Sequence, residues 1–380
     1  MYKSVIIATS ITISFILQTS SSSALAPMQD REIQDAVSRE RDATAQEAGL
    51  YEPGRQTIEI DFRDLELERG GNQAPLQIRV NFPRFRGDSS GNEGAGLIES
   101  VGRSHAEDES AETGEQKLPV IIFSHGAGGC KENYRPLVDY WVAHGYVCIQ
   151  PTHGDSLSLR EEEDRNFRQL MRSVSLGEYV IERADDISLV LDNFEHIENQ
   201  IEVLSGRLDQ ERIGMSGHSY GAYTTQMIGG LSVRTGLRRR TTKTDERPKA
   251  LLMISPQGTG GVIDETSWDN VTRPAMIVTG SNDKGRLGQD YTWRLEPWEN
   301  ISSETKFLCF IEEANHNFGG ISGAWYPGVG RANERHVEYV RNSTLAFWDA
   351  LLLEESEAIE YLNSDQLQSV SDGTARISRE

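Results

Sequence analysis

Between residues 118 and 311 the chain carries six short runs in which apolar residues follow one another almost without interruption: 119–124, 147–150, 212–217, 250–255, 275–280 and 307–311. Each is four to six residues long. Such runs are brief for a buried helix and too continuous for a strand with one wet face. They suit parallel strands covered on both sides. The segments between them, 133–144 and 178–199 among them, place apolar residues at helical spacing; Val180, Ala184, Ile187, Leu191 and Phe194 form one stripe. Residues 333–362 read as a long closing helix, with Val337, Val340, Leu345, Phe347, Trp348 and Leu351 available to cover a sheet. This alternation predicts an α/β fold: a mostly parallel central sheet with helices on both faces. Ahead of it, residues 57–67 and 76–82 alternate as strands around the turn signal Arg69-Gly70-Gly71-Asn72, which predicts an N-terminal antiparallel hairpin.

The flanks differ in kind. Residues 1–26 carry Lys3, an apolar stretch over 5–17 and small residues around Ala24 and Ala26, the pattern of a secretory signal peptide. Cleavage after Ala24 is favoured over Ala26, which would leave Pro27 first. An exported protein, periplasmic or extracellular, is therefore expected, with no stable membrane span after signal removal. Residues 27–56 are a polar N-terminal segment, and 57–362 form the domain. Within it, residues 87–117 hold eight acidic and two basic side chains, many Gly and Ser, and no aromatic. Too little apolar surface is present to offset the entropy of ordering, so a disordered acidic insert is expected there. Residues 363–380 read as a polar tail that frays, and Arg238-Arg239-Arg240 as part of a solvated loop.

The formal charge of −21 argues against nucleic acid and anionic membrane surfaces as partners. Three cysteines, Cys130, Cys148 and Cys309, make no disulfide framework, and no Cys/His cluster has metal-ligand spacing. No metal or cofactor is expected.

Gly217-His218-Ser219-Tyr220-Gly221 follows one apolar run and opens a helical segment. This is the context of a nucleophile elbow, in which a serine sits on a sharp strand-to-helix turn. Side chains two before and two after it would collide, which calls for Gly217 and Gly221. The helix beginning there aims its positive end at any negative charge developing beside the serine.

With this elbow, the run Ile121-Ile122-Phe123-Ser124-His125-Gly126-Ala127-Gly128-Gly129, and His144-Gly145-Tyr146 leading into the next strand, the chain resembles the α/β-hydrolase superfamily over roughly residues 57–362. Within it, the chain resembles the platelet-activating-factor acetylhydrolase and dienelactone-hydrolase-like group of serine esterases. The resemblance implies Ser219 as nucleophile, with the backbone N–H groups of Ala127 and Tyr220 as the oxyanion hole. It gives His125 a structural part in its loop. The base follows the last strand, where His316 stands; the only other histidine beyond the serine, His336, falls on the closing helix with a solvent-facing position expected. The acid follows the penultimate strand, where Gly280-Ser281-Asn282-Asp283 offers Asp283. The acetylhydrolase branch places its acid one strand earlier. Here that position reads Ser255-Pro256-Gln257-Gly258-Thr259-Gly260, with no carboxylate before Asp264, so Asp264 competes for the acid's place.

The function implied is cleavage of carboxylic esters, small or lipid-like, through an acyl-enzyme. Two alternatives stand beside it. One is a serine peptidase of prolyl-oligopeptidase type, whose large gating domain has no room here. The other is a non-catalytic binding module on a hydrolase scaffold. Trp268, Trp293, Trp298, Trp325 and Tyr326 fall in loops that would rim the site, where packing and lining an apolar pocket are both open readings.

The insert generates the first prediction. Joining residues 86 and 118 by a short turn should leave esterase turnover and melting temperature nearly unchanged, because loop closure changes by only about 0.6 kcal/mol per doubling of length. Loss of folding in the shortened chain would show that 87–117 is structured.

Overall fold

The computed structural model describes residues 58–71, 73–85, 117–162, 165–175, 179–323 and 330–380. The signal segment, the polar N-terminal segment and all of the acidic insert but Lys117 lie outside them, as do Trp325 and Tyr326. The two alternating segments form the expected antiparallel hairpin, β1 (Ile58–Leu67) and β2 (Leu76–Phe85), in register from Ile58 opposite Phe85 to Leu67 opposite Leu76. The apolar runs become β3 (Leu118–Ser124), β4 (Val147–Thr152), β5 (Leu208–His218), β8 (Ala250–Ile254), β9 (Ala275–Asn282) and β10 (Lys306–Asn315). A short ribbon, β6 (Val233–Arg234) with β7 (Arg240–Thr241), precedes β8. The sheet order is β1-β2-β4-β3-β5-β8-β9-β10, with every neighbour from β4 to β10 parallel.

Both faces of the sheet are covered, which is why its strands read as continuous apolar runs. Helices α1 (Arg135–Ala143), α2 (Phe167–Ser175), α3 (Val180–Asp192), α4 (Phe194–Gln200), α5 (Tyr220–Gly229) and α6 (Thr292–Asn300) fall between strands. On one face Val120, Ile122 and Met215 pack with Ala184, Ile187, Met227 and Ile228 of α3 and α5. On the other, Ile121, Phe123 and Leu252 pack with Trp141 of α1 and Phe347 and Trp348 of the closing helix α7 (Glu334–Leu352). Neighbouring residues of one strand thus feed opposite cores, as a pleated strand requires. The fold is the α/β-hydrolase fold.

Three expectations need correction at the C-terminal end. The closing helix is two: α7 stops at Leu352, Glu354 turns the chain at φ 56°, and α8 (Ser356–Leu362) begins after it. Residues 363–380 do not fray. They form α9 (Gln366–Val370) and a strand, β11 (Ala375–Arg379), that pairs antiparallel with β10 from Phe307 opposite Arg379 to Ile311 opposite Ala375. The segment is polar overall, yet Leu367 and Ala375 are buried, and pairing satisfies backbone groups that β10 would otherwise present at an open edge. His336 is buried rather than solvent-facing, one turn into α7 behind the Asn333 cap.

β5 crosses α7 closely at Gly214, where a Cβ would stand 2.5 Å from Trp348 Cζ3. Gly214→Ala should therefore cost about 1–3 kcal/mol through overpacking, read as a lower melting temperature. Pairing it with Trp348→Leu should restore part of the loss; a Gly214→Ala variant as stable as wild type would contradict this packing.

Candidate active site

Ser219, Asp283 and His316 each lie just past the C-terminal end of a parallel strand, where open α/β sheets hold their sites. β5 turns into α5 through Ser219, whose backbone sits at φ 56°, ψ −118°. That left-handed geometry is strained for a residue with a side chain. A Cβ at Gly217 would lie 2.3 Å from the Gly221 carbonyl, and one at Gly221 only 1.9 Å from the Ser124 oxygen. Both glycines are sterically required. Ser219 N–H donates to Ile254 O at 2.9 Å, which ties the turn to β8.

The three side chains read from the sequence meet. Ser219 Oγ is 2.9 Å from His316 Nε2, and His316 Nδ1 is 2.8 Å from Asp283 Oδ1. Their approach depends on an irregularity the sequence does not announce. β9 and β10 run in register to Gly280 opposite Ile311, then resume at Asn282 opposite Asn315, so β10 bulges by two residues. Glu313 turns there at φ 60°, held by its N–H to Ser281 Oγ at 2.7 Å and by Asn282 Nδ2 to its carbonyl at 3.2 Å. The bulge re-aims the following loop and brings His316 over Asp283.

Asp283 is fully buried. Burial alone would raise its pKa, but the Arg294 guanidinium, the His316 hydrogen bond and the Ser255 hydroxyl hold the carboxyl well below the usual carboxylate range. Arg294, on the first turn of α6, places Nε 3.4 Å from Asp283 Oδ1 and donates through Nη1 to the Ser255 and Pro256 carbonyls. Ser255 Oγ donates to Asp283 Oδ1 at 2.9 Å and lies 2.8 Å from His316 Nδ1; Thr279 Oγ1 donates to Oδ2 at 3.1 Å. Ser255 opens the stretch 255–260 directly after β8, at φ 55°. No carboxylate stands in that stretch before Asp264.

Asp264 is engaged elsewhere. It is partly exposed, caps a short 3₁₀ turn through Thr266 N, and pairs with Arg240. The arginine run is thus not wholly solvated: Arg240 also donates to Ser232 and Ser267. Of the aromatic residues, Trp268 is buried and donates to Gln226 Oε1, and Trp293 donates to Thr259 O. Trp298 is partly buried against the core.

The loop after β3 is held from beneath by buried charge. Arg183 of α3 forms a two-pronged pair with Asp155, Nε to Oδ1 at 2.8 Å and Nη2 to Oδ2 at 2.9 Å, and its Nη1 donates to His125 O at 2.7 Å. Asp155 Oδ2 also accepts Gly128 N–H at 3.0 Å, while Tyr134 Oη accepts Gly126 N–H at 3.1 Å. The two amides flanking Ala127 are therefore bonded inward. His125 Nε2 accepts from His153 N–H, so Nδ1 carries the proton and donates to Gly126 O. His153 in turn bridges Ser124 Oγ and Asp186, which Arg69 engages with two N–H groups. Burial, and then the Arg183 charge, push both histidines well below the usual histidine range, so they stay neutral. Composition and motif gave no hint of this network, because its members come from five separate segments.

Among the described residues no group of three or more His, Cys, Asp and Glu side chains is placed to hold a metal ion, and no helix is long and apolar enough to cross a membrane.

The fold is that of the α/β-hydrolases, and the expected similarity to the acetylhydrolase group is borne out. The model of the family described as platelet-activating factor acetylhydrolase, isoform II, matches residues 95–160, a stretch covering β3, α1 and β4. The platelet-activating factor acetylhydrolase of Cavia porcellus is 22% identical over 300 residues, 69% of this chain and 62% of that protein. That of Bos taurus is 27% identical over 141 residues, 30% of this chain and 32% of that protein. The chain thus spans less than two thirds of the length of these relatives. A ferulic acid esterase from Streptomyces cinnamoneus shares the fold, with a TM-score of 0.53 and 16% identity over 80% of this chain and 93% of that one.

Removing one partner of a buried pair costs about 3–5 kcal/mol, because the other charge is left uncompensated. Arg183→Met should lose stability of that order at neutral pH. Burial tends to raise the Asp155 pKa, but the Arg183 charge and hydrogen bonds more than offset it and hold it low, so its stabilisation is complete above the unfolded value of 3.8 and is lost as pH falls through the lower folded value. In the variant Asp155 protonates readily, so the stability gap from wild type should shrink below about pH 4. Asp186, which burial pushes up to about 6, acts in the opposite sense, but only between 3.8 and about 6. Urea unfolding of both proteins from pH 7 to pH 3 checks this; a gap that widens in acid would contradict it.

Proposed function

We propose that the protein is a serine hydrolase that cleaves carboxylic esters, with Ser219 as nucleophile, His316 as base and Asp283 as the acid that orients it. The observation that carries the reading is the continuous chain from Ser219 Oγ through His316 to buried Asp283, at 2.9 and 2.8 Å, on a turn held open only by glycines. In this reading Ser219 Oγ attacks the ester carbonyl while its proton passes to His316 Nε2. The tetrahedral oxyanion takes hydrogen bonds from the N–H groups of Ala127 and Tyr220, at the positive end of α5. His316 then hands the proton to the departing alcohol, leaving an acyl group on Ser219. Water, deprotonated by the same imidazole, releases the acid. Asp283 keeps the proton on Nδ1 and balances the imidazolium charge.

A lipid-like ester with a small acyl group is the substrate class that the names of the relatives support. Export to the periplasm or the extracellular space, with the first 26 residues as signal, belongs to the same proposal.

Ser219→Ala should fold normally, lose nearly all turnover of nitrophenyl esters and fail to label with a fluorophosphonate. Asp283→Asn should lower kcat by several orders of magnitude; in a serine protease the equivalent change costs about 10⁴-fold. Asp264→Asn should leave kcat nearly intact. Wild-type turnover in Ser219→Ala would sink the proposal, and a large loss confined to Asp264→Asn would move the acid one strand earlier.

A further inference from the structure

His218, inside the elbow motif, is buried beneath the site and touches both loops that the chemistry needs. Its Nε2 is 2.7 Å from the carbonyl oxygen of His316, and its Nδ1 is 2.9 Å from Tyr134 Oη. The polarity of these bonds follows from the partners. A carbonyl only accepts, so Nε2 carries the proton and Nδ1 is left as acceptor. Tyr134 must then donate to Nδ1, and its oxygen accepts the N–H of Gly126. One directed chain results: Gly126 N–H to Tyr134 O–H to His218 Nδ1, then His218 Nε2–H to the His316 carbonyl. Burial pushes the imidazole down to about 3, so the neutral form this chain requires is kept at working pH. The His218 ring also packs against those of Tyr134, His316 and Phe318, at centroid distances of 5.5, 4.8 and 6.3 Å.

We propose that His218 is a positioning residue that, with Tyr134, fixes the loop carrying Ala127 and the loop carrying His316 at one distance from Ser219. The relay never touches substrate. It bonds the amide next to Ala127 at one end and the backbone of the base itself at the other. Misplacing either by an ångström costs turnover far more than binding, since both are needed only when the proton moves and the oxyanion forms.

The inference rests on the serine-hydrolase reading, and the experiment separates the two. Tyr134→Phe, His218→Phe, the double variant, His218→Gln and Ser219→Ala are compared by kcat and KM on one short nitrophenyl ester, by the rate of fluorophosphonate labelling and by melting temperature. Tyr134→Phe and His218→Phe should each lower kcat and labelling roughly 10–100-fold with KM within about threefold. The double variant should fall no more than about threefold below the slower single, since both break one chain. His218→Gln, whose amide N–H lies near the place of Nε2, should recover part of the loss in His218→Phe. Full kcat in a folded His218→Phe, a loss seen only in KM, or single losses that multiply in the double would each overturn the relay. Should His218→Phe not fold, Tyr134→Phe decides, because it removes one buried oxygen and keeps the ring; wild-type kcat there overturns the proposal. Activity surviving in Ser219→Ala would instead overturn the hydrolase reading itself.

Discussion

The approach of α5 to the end of β3 sets the geometry on which the rest depends. The Gly221 Cα faces the Ser124 carbonyl so closely that only hydrogen fits between them. Because it fits, the first turn of α5 lies beside the end of β3 and the start of the loop that follows it. The same contact forces the strand-to-helix turn into so few residues that Ser219 must adopt a positive φ, which lifts its hydroxyl out of the sheet. The strain at Ser219 and the bareness of Gly217 and Gly221 are two sides of one packing requirement.

Around this turn the protein buries charge in two places. Arg183 with Asp155 underlies the loop after β3, and Arg294 with Asp283 lies under His316. Each arginine also donates to loop carbonyls, His125 in one case and Ser255 and Pro256 in the other. A buried ion pair contributes little net stability, because desolvation offsets most of the attraction. What these two pairs supply is direction. A planar guanidinium with fixed donors holds several carbonyls at set angles, and backbone that would otherwise wander is held at the site.

The fold was legible because its signals are local and repeated. Six apolar runs, a hairpin turn and helical stripes each state their own element, and their order leaves few topologies. That Ser219, His316 and Asp283 would come together was legible for a related reason, since each follows directly on the end of a strand of the parallel sheet. What was misread lay where pairing overrides composition. Residues 375–379 look like a solvated tail, yet they complete the edge of β10. His336 looks like an exposed helix position, yet it is buried.

The sequence by itself determined the strand ends, the strand-to-helix turn at Ser219 and the need for Gly217 opposite Gly221, because each follows from residues close in the chain. The tertiary structure alone decided how those ends meet. The bulge in β10 that turns His316 toward Asp283 arises from pairing with β9, and that pairing leaves Asp283, not Asp264, beside His316. The partners Arg183, Arg294, Ser255, Tyr134 and His218 were likewise invisible in sequence. They are joined by hydrogen bonds across long chain separations, and such bonds form only when folding brings distant segments within about 3 Å.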